Sequence, residues 1–220
     1  MGDDEVALPA MVEALSRLTR HELPSDVFEE LDHKARPARW LATEAINERG
    51  LPQIDLGEWV ALVERLYLER AGEGAPQGWD APEGAAEALR SLQREGFRLA
   101  LLTGIPERIA RARLDRVGLG EFFPREQGAF GCEADDRDEL YAIALERAGT
   151  PPQRAVHVGD TSRDVCSAVA LGIRCVAVAH DGDPPRREDE AEQVVCSMPE
   201  LVDALREFRA SLTNGSGAAH

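Results

Sequence analysis

Residues 156–165 read VHVGDTSRDV, and the meaning of this stretch decides the fold. Val156, His157 and Val158 end a short apolar run, Gly159 and Asp160 break it, and Ser162 opens a segment with helical spacing. A strand that ends in a turn and feeds a helix is the unit of a parallel α/β sheet, whose working side chains lie at the carboxyl ends of the strands. Asp160 follows the strand directly, has no evident local duty, and is a candidate hard-oxygen ligand for a divalent cation. Asp164 has two readings: a second cation ligand, or the acid of a Thr161-x-x-Asp164 capping box that bonds amides at the helix start. His157 alternates with two valines and reads as a hydrogen-bonded core histidine rather than a base.

The surrounding sequence repeats this grammar. Spacing predicts helices over 83–94, 106–117, 137–148, 162–171 and from 200 to about 212, with strands at 97–102, 154–158, 173–179 and 194–195 and a small one within 127–132. Strands alternating with helices of this length imply right-handed crossovers and a parallel sheet with helices on both faces. The continuously apolar runs LALL and AVHV predict strands buried on both sides. A second strand end reads Leu102-Thr103-Gly104-Ile105-Pro106. Its hydroxyl, its glycine and the helix start after Pro106 could cradle a phosphate oxygen, or Thr103 could be a plain turn cap. Between the two strand ends, Arg137 opens a helix in DDRDEL and can be a surface cation or reach inward.

Residues 8–71 differ. Apolar residues recur at helical spacing through Leu8, Met11, Leu15, Trp40, Leu41, Trp59, Val63 and Leu66, with no alternating run. The segment 71–78 holds three glycines and a proline and reads as a hinge. The expected organisation is an all-α part with its hinge over 1–78, an α/β core over 79–212, and a flexible tail over 213–220.

Composition narrows the functions. The 220 residues carry a formal charge of -16 and are 43% hydrophobic, which suits a globular protein with an ordinary core. So acidic a chain lacks the basic face that nucleic acid or anionic membrane requires, and no apolar run approaches a membrane span. Cys132, Cys166, Cys175 and Cys196 are far apart without CxxC spacing and read as buried free thiols of a reducing, cytoplasmic compartment. Lys34 is the sole lysine among 25 basic residues.

Taken in order, LLTG, an arginine-bearing helix start, VHVGDTSRD and GIRCVAVAHDG resemble the haloacid dehalogenase-like superfamily in its phosphatase-like branch, over roughly residues 82–208. The resemblance implies a Rossmannoid parallel sheet with an N-terminal helical cap. It implies a Mg²⁺-dependent phosphatase of a small phosphorylated metabolite, acting as monomer or homodimer. Thr103 and Gly104 would bind the transferring phosphoryl group, and Asp160 and Asp164 would hold Mg²⁺. Arg137 would stand where the family has a lysine, an exchange that keeps the charge but alters shape and hydrogen bonding. His157 stays a core residue in this reading, while Arg36, Arg39 and Trp40 could face substrate from the cap, and Asp181 and Asp183 could rim the site or form a turn.

One departure is large. The family's aspartate nucleophile sits in a DxDGT-type motif at the end of a central first strand, and this sequence does not contain it. Asp3 and Asp4 follow only Met-Gly, and Asp55, in QIDLG, precedes an amphipathic helix. The family's sheet order puts that strand between those ending at Thr103 and Asp160. Losing about four apolar side chains there at ~1.5–3 kcal/mol each removes roughly 6–12 kcal/mol, comparable to a domain's whole stability. The expectation is therefore a start assigned too far downstream in an otherwise ordinary enzyme. The alternatives are a non-catalytic binding or regulatory module and a 2-haloacid dehalogenase, which needs the same aspartate.

Overall fold

The computed structural model describes residues 6–31, 36–72, 80–179 and 191–215. Among the described residues the N-terminal part has helices α1 (Ala7–Thr19), α2 (Ala38–Arg49) and α3 (Leu56–Gly72). Local chemistry sets their ends. Pro37 precedes α2 with an extended backbone, Gly50 ends it in the left-handed region at φ 60°, and Asp55 accepts the Glu58 N–H at 2.9 Å at the start of α3. Trp59, Val63 and Tyr67 bury one face of α3 beside Met11 and Leu15 of α1, and the Trp59 indole donates to the Met11 carbonyl at 3.3 Å. Residues 21–31 are not helical: Pro24 opens a turn segment that still buries Val27 and Phe28.

The remainder alternates as expected: α4 (Ala85–Arg94), β1 (Leu102–Thr103), α5 (Glu107–Arg116), β2 (Ala129–Phe130), α6 (Arg137–Ala148), β3 (Val156–Gly159), α7 (Ser162–Ala170), β4 (Arg174–Val178), β5 (Gln193–Val195) and α8 (Met198–Gly215). This is the predicted α/β fold with parallel pairing throughout, but its strands form two separate ladders. One is β1-β2, and the other is β3-β4-β5. Among the described residues, no backbone hydrogen bond joins 97–103 to 155–159. The ladders therefore part between the strands that end at Thr103 and Asp160.

Three expectations are corrected. Of the strand predicted over 97–102 only Leu102 is laddered, with Thr103 added beyond it, because the run has a strand neighbour on one edge alone. LALL and AVHV are not buried on both sides: Arg98 and Ala100 are exposed and Val158 is 36% exposed. Of the four free cysteines only Cys175 is buried, on central β4, whereas Cys196 is exposed just beyond β5 and Cys132 and Cys166 are half-buried. The predicted hinge lies mostly outside the described residues, as do Asp181, Asp183 and Lys34, and α8 continues through Gly215 into the predicted tail.

The helical part is seated on the sheet by backbone contact. The Ala38 N–H donates to the Gly104 carbonyl at 2.7 Å, the Arg39 N–H to the Gly131 carbonyl at 3.0 Å, and the Gly131 N–H to the Ile105 carbonyl at 3.0 Å. Only glycine allows this approach: a Cβ on Gly131 would lie 1.6 Å from the Gly104 oxygen, and one on Gly104 2.2 Å from the Arg36 oxygen. Side chains add to the seam. Glu64 accepts the Arg108 N–H at 3.1 Å, and Arg113 donates to the Tyr67 hydroxyl at 3.3 Å. Gly131→Ala is expected to lower unfolding stability by at least about 2 kcal/mol in urea titration. Gly72→Ala, in open space at a helix end, should be neutral or stabilising by up to about 1 kcal/mol, and equal losses at the two positions would refute the seam.

Candidate active site

Three local structures carry the predicted residues. The first is the β3–α7 turn. Thr161 is the N-cap of α7: its hydroxyl accepts the Asp164 N–H at 3.1 Å, and the Asp164 carboxylate accepts the Thr161 N–H at 3.1 Å and the Thr161 hydroxyl at 2.7 Å. Of the two readings of Asp164, the capping box is therefore formed. Gly159 is required beside it, since a Cβ there would lie 2.5 Å from the Asp164 Cβ and 2.8 Å from His157 Nε2.

The second is the start of α6. Asp136 caps this helix by accepting the Asp138 N–H at 3.1 Å, which fixes Arg137 as its first residue. Arg137 reaches inward rather than to the surface, is buried, and donates through Nη2 to Asp164 Oδ1. The same oxygen lies 3.3 Å from His157 Nε2. One turn further along α6, the Tyr141 hydroxyl donates to the Asp164 carbonyl at 3.4 Å, and its ring meets that of His157 edge-on at 5.1 Å. His157 is thus a hydrogen-bonded interior residue.

The third is the β1 end. Thr103 Oγ1 accepts the Ile105 N–H at 3.4 Å in a tight turn, which leaves its own hydroxyl proton for another acceptor. Gly104 directs its carbonyl to α2, so the close approach that this glycine permits is to the backbone of the helical part. Leu102, just before Thr103, and Val156 and His157, just before Asp160, line one cavity of about 370 Å³ between the two ladders. The strand ends carrying the candidate residues therefore belong to one neighbourhood.

Electrostatics centre on Asp164. Burial opposes its ionisation, but the His157 hydrogen bond, the Arg137 charge and the Thr161 bonds outweigh burial and hold its carboxyl well below the usual carboxylate range. Burial raises the Tyr141 phenol and pushes the Cys175 thiol up to about 12, with the Asp164 charge adding to both. Both carboxylate oxygens of Asp164 are thus engaged by protein donors. Asp160 is solvent-exposed at the end of β3 and presents a hard-oxygen donor there. Among the described residues no group of three or more His, Cys, Asp or Glu side chains converges on one point. The donors present fit a cation held by one carboxylate, with water and ligand oxygens completing its shell.

The partners of several residues escaped the sequence reading. Arg39, which could face substrate or solvent on the sequence reading, forms an ion pair with Asp135 at 3.0 Å, and Arg36 stacks on Trp40 at 4.2 Å. Asp55 caps α3 and stands at no strand end. The His157 to Asp164 contact carried one signal, a histidine two residues before Gly-Asp. Removing one partner from a buried ion pair leaves the other charge stranded, so Asp164→Asn is expected to cost about 3–5 kcal/mol at neutral pH. The native carboxyl titrates below its unfolded value near pH 3.9. Its contribution is therefore complete above about pH 4 and is lost as the pH falls through the lowered native value. Denaturant midpoints measured from neutral to acid pH should fall less steeply in Asp164→Asn than in the wild type, and parallel curves would contradict the assignment.

Comparison with known proteins agrees with this fold. The sequence profile of haloacid dehalogenase-like hydrolases matches residues 7–172. A phosphoglycolate phosphatase from Pseudomonas savastanoi pv. phaseolicola is 31% identical over 133 residues, which are 59% of this chain and 48% of that protein. Phosphoglycolate phosphatase 1 from Pseudomonas aeruginosa is 34% identical over 122 residues, 54% of this chain and 45% of that protein. The matched region thus spans about half the length of these curated relatives. In three dimensions, CbbY from Rhodobacter sphaeroides, solved in complex with phosphate, superposes with a TM-score of 0.64 at 20% identity, covering 90% of this chain and 89% of that one. β-Phosphoglucomutase from Clostridium difficile gives 0.63 at 16% identity, covering 94% and 92%. With a profile match over residues 7–172, this chain belongs to the haloacid dehalogenase-like hydrolases.

Proposed function

We propose that this chain is the cap and core of a Mg²⁺-dependent phosphatase acting on a small phosphorylated metabolite, with 2-phosphoglycolate as the first substrate to test. The observation that supports this reading is that Leu102 and His157, which lead into the strand ends bearing Thr103 and Asp160, line one cavity, while Arg137 is held on Asp164 beside the second strand end. Their chemistry suits a phosphate ester. The Thr103 hydroxyl can donate to a phosphoryl oxygen. Asp160 would hold Mg²⁺, which when bound offsets charge on the phosphoryl oxygens. Asp164 orients Arg137 and the β3–α7 turn rather than contacting the ion. Arg137 contributes positive charge beside the site in a fixed orientation, because both its helix position and its carboxylate partner are set by hydrogen bonds. The names of the curated relatives support the substrate class. The chain's net negative charge fits a small anion met inside a local positive pocket better than a polyanion.

Hydrolysis also requires a nucleophile, and among the described residues the only carboxylate close behind either strand end besides Asp160 and Asp164 is Glu107, which is paired with Arg111 on α5. The reading therefore assigns phosphate and Mg²⁺ binding to these residues, and turnover to the protein once a further carboxylate stands between the strand ends. A second reading, binding without turnover, is favoured by the same fact. Calorimetric titration separates both readings from chance resemblance. Inorganic phosphate should bind in the presence of Mg²⁺ and far more weakly without it, with Asp160→Asn weakening it about tenfold or more and Thr103→Ala about fivefold. Phosphate release from p-nitrophenyl phosphate or 2-phosphoglycolate then distinguishes enzyme from binder. Phosphate affinity indifferent to Mg²⁺ and to Asp160→Asn would overturn the proposal.

A further inference from the structure

A carboxylate buried between two parts of a fold changes its affinity for a proton according to whether those parts meet. Glu64 is such a group: it lies on α3, reaches across the seam to α5, and is 8% exposed. The start of α5 explains its place. The first amides of a helix have no acceptor within it, and Pro106, which precedes α5, has no side-chain oxygen to offer them. Two groups from elsewhere in the fold substitute. The Arg108 N–H donates to Glu64 Oε1 at 3.1 Å, and the Glu107 N–H donates to the sulfur of Cys132, which follows Gly131 of the seam. Helix α5 thus takes one of its caps from the helical part of the molecule. This cap borders the Thr103 turn, because the residues Gly104, Ile105 and Pro106 alone separate Thr103 from α5. The Gly104 carbonyl in turn accepts the Ala38 N–H at 2.7 Å. The helical part therefore holds the turn through α2 on one side and through Glu64 on the other.

The groups that face Glu64 do little to hold its charge. From α5, the Arg108 guanidinium stands 3.9 Å away and extends into solvent, and the Glu107 carboxylate, of like sign, is turned to Arg111. From the connection after β2 comes the Cys132 thiol, which burial raises, with the Glu133 and Glu64 charges adding to it, so that it stays neutral around pH 7. Among the described residues no charged group of α1 or α2 acts on Glu64. Burial is the largest influence. It outweighs the Arg108 amide and guanidinium, the Glu107 charge adds to it, and the Glu64 carboxyl is raised above its ordinary value. The other side-chain bonds of the seam do not titrate in that range. Arg113, which burial lowers to about 10, donates to the Tyr67 hydroxyl, whose phenol burial raises, and Arg116 donates to the Ala71 carbonyl at 3.1 Å.

We infer that Glu64 is a proton-linked latch: α3 seats on the start of α5 with uptake of a proton by Glu64, and ionisation of Glu64 loosens the helical part from the Thr103 turn. The sign follows from linkage. When α3 lifts from α5, Glu64 enters water and regains its ordinary value of 4.5. The seated form binds the proton more tightly, so seating is unopposed below pH 4.5. The opposing contribution grows as the pH rises above 4.5 and is complete once the pH passes the raised value. Asp164 behaves in the opposite sense, because several donors reward its charge whereas one amide and a distant guanidinium reward that of Glu64. The inference stands on the seam and not on the phosphatase reading.

Amide exchange followed by NMR on the full chain tests it, read at Ala38 and Arg108 and corrected for the intrinsic pH dependence of exchange. In the wild type, protection at both amides should fall about threefold or more between about pH 5 and about pH 7.5. Glu64→Gln keeps a carbonyl acceptor for the Arg108 N–H and cannot ionise. Its protection should stay level over the same range and exceed that of the wild type at the upper end. Equal pH dependence in the two proteins, or weaker protection in Glu64→Gln than in the wild type at the upper end, would overturn the inference. Should Glu64→Gln disturb the fold, the carboxyl ¹³C shift of Glu64 in the wild type reads the same group directly. A titration midpoint above that of an exposed glutamate is expected, and a midpoint at or below it would overturn the latch.

Discussion

Backbone amides and carbonyls inside a protein must find partners, and the two facing strand edges concentrate that constraint in one place. Each edge is laddered on its outer side only. The consequences spread outward: residues 97–101 remain outside any ladder, Val158 meets solvent, and the helices α6 and α8 wall a cavity where a continuous sheet would have a strand. The candidate site inherits this geometry, because Thr103 and Asp160 end the same two edges. A rearrangement that closed or widened the space between the edges would move the Thr103 hydroxyl relative to the Asp160 carboxylate.

Two devices hold the halves in place without that central ladder. Asp164 ties α6, β3 and α7 together through Arg137, His157 and Thr161, using one buried carboxylate for three elements. Such a buried pair contributes little to net stability compared with apolar packing, but each member depends strongly on the other. Specifying how the elements meet is therefore the role that suits it. The second device is the glycine seam, where Gly104 and Gly131 let the start of α2 bond directly to the strand ends. That seam brings Arg36 and Arg39 to the rim of the site while engaging them with Trp40 and Asp135.

Legibility in the sequence followed the range of the interactions. The bounds of α6 were read without error because its signals are local, an Asp136 cap at one end and Gly149 in the left-handed region at the other. The capping box in TSRD was visible for the same reason. The parting of the sheet was legible from the resemblance, since the strand order and the absent motif placed it between the edges ending at Thr103 and Asp160. Long-range facts were not legible. Nothing near Arg137 says that its partner is Asp164 rather than solvent or a ligand. The run 97–102 has the composition of a buried strand although its neighbours leave it half-exposed. Cys196 follows an apolar pair and yet lies on the surface.

Native-state amide hydrogen exchange on the unliganded chain tests the central claim most directly, because it reads backbone pairing residue by residue. The account predicts slow exchange along 174–178, in a strand laddered on both edges, and much faster exchange at Ala100, Leu102 and the amides of 156–159 that face the cavity. Uniformly slow exchange across 98–103 and 156–159, matching that of 174–178, would mean that the two edges are already paired and would contradict it.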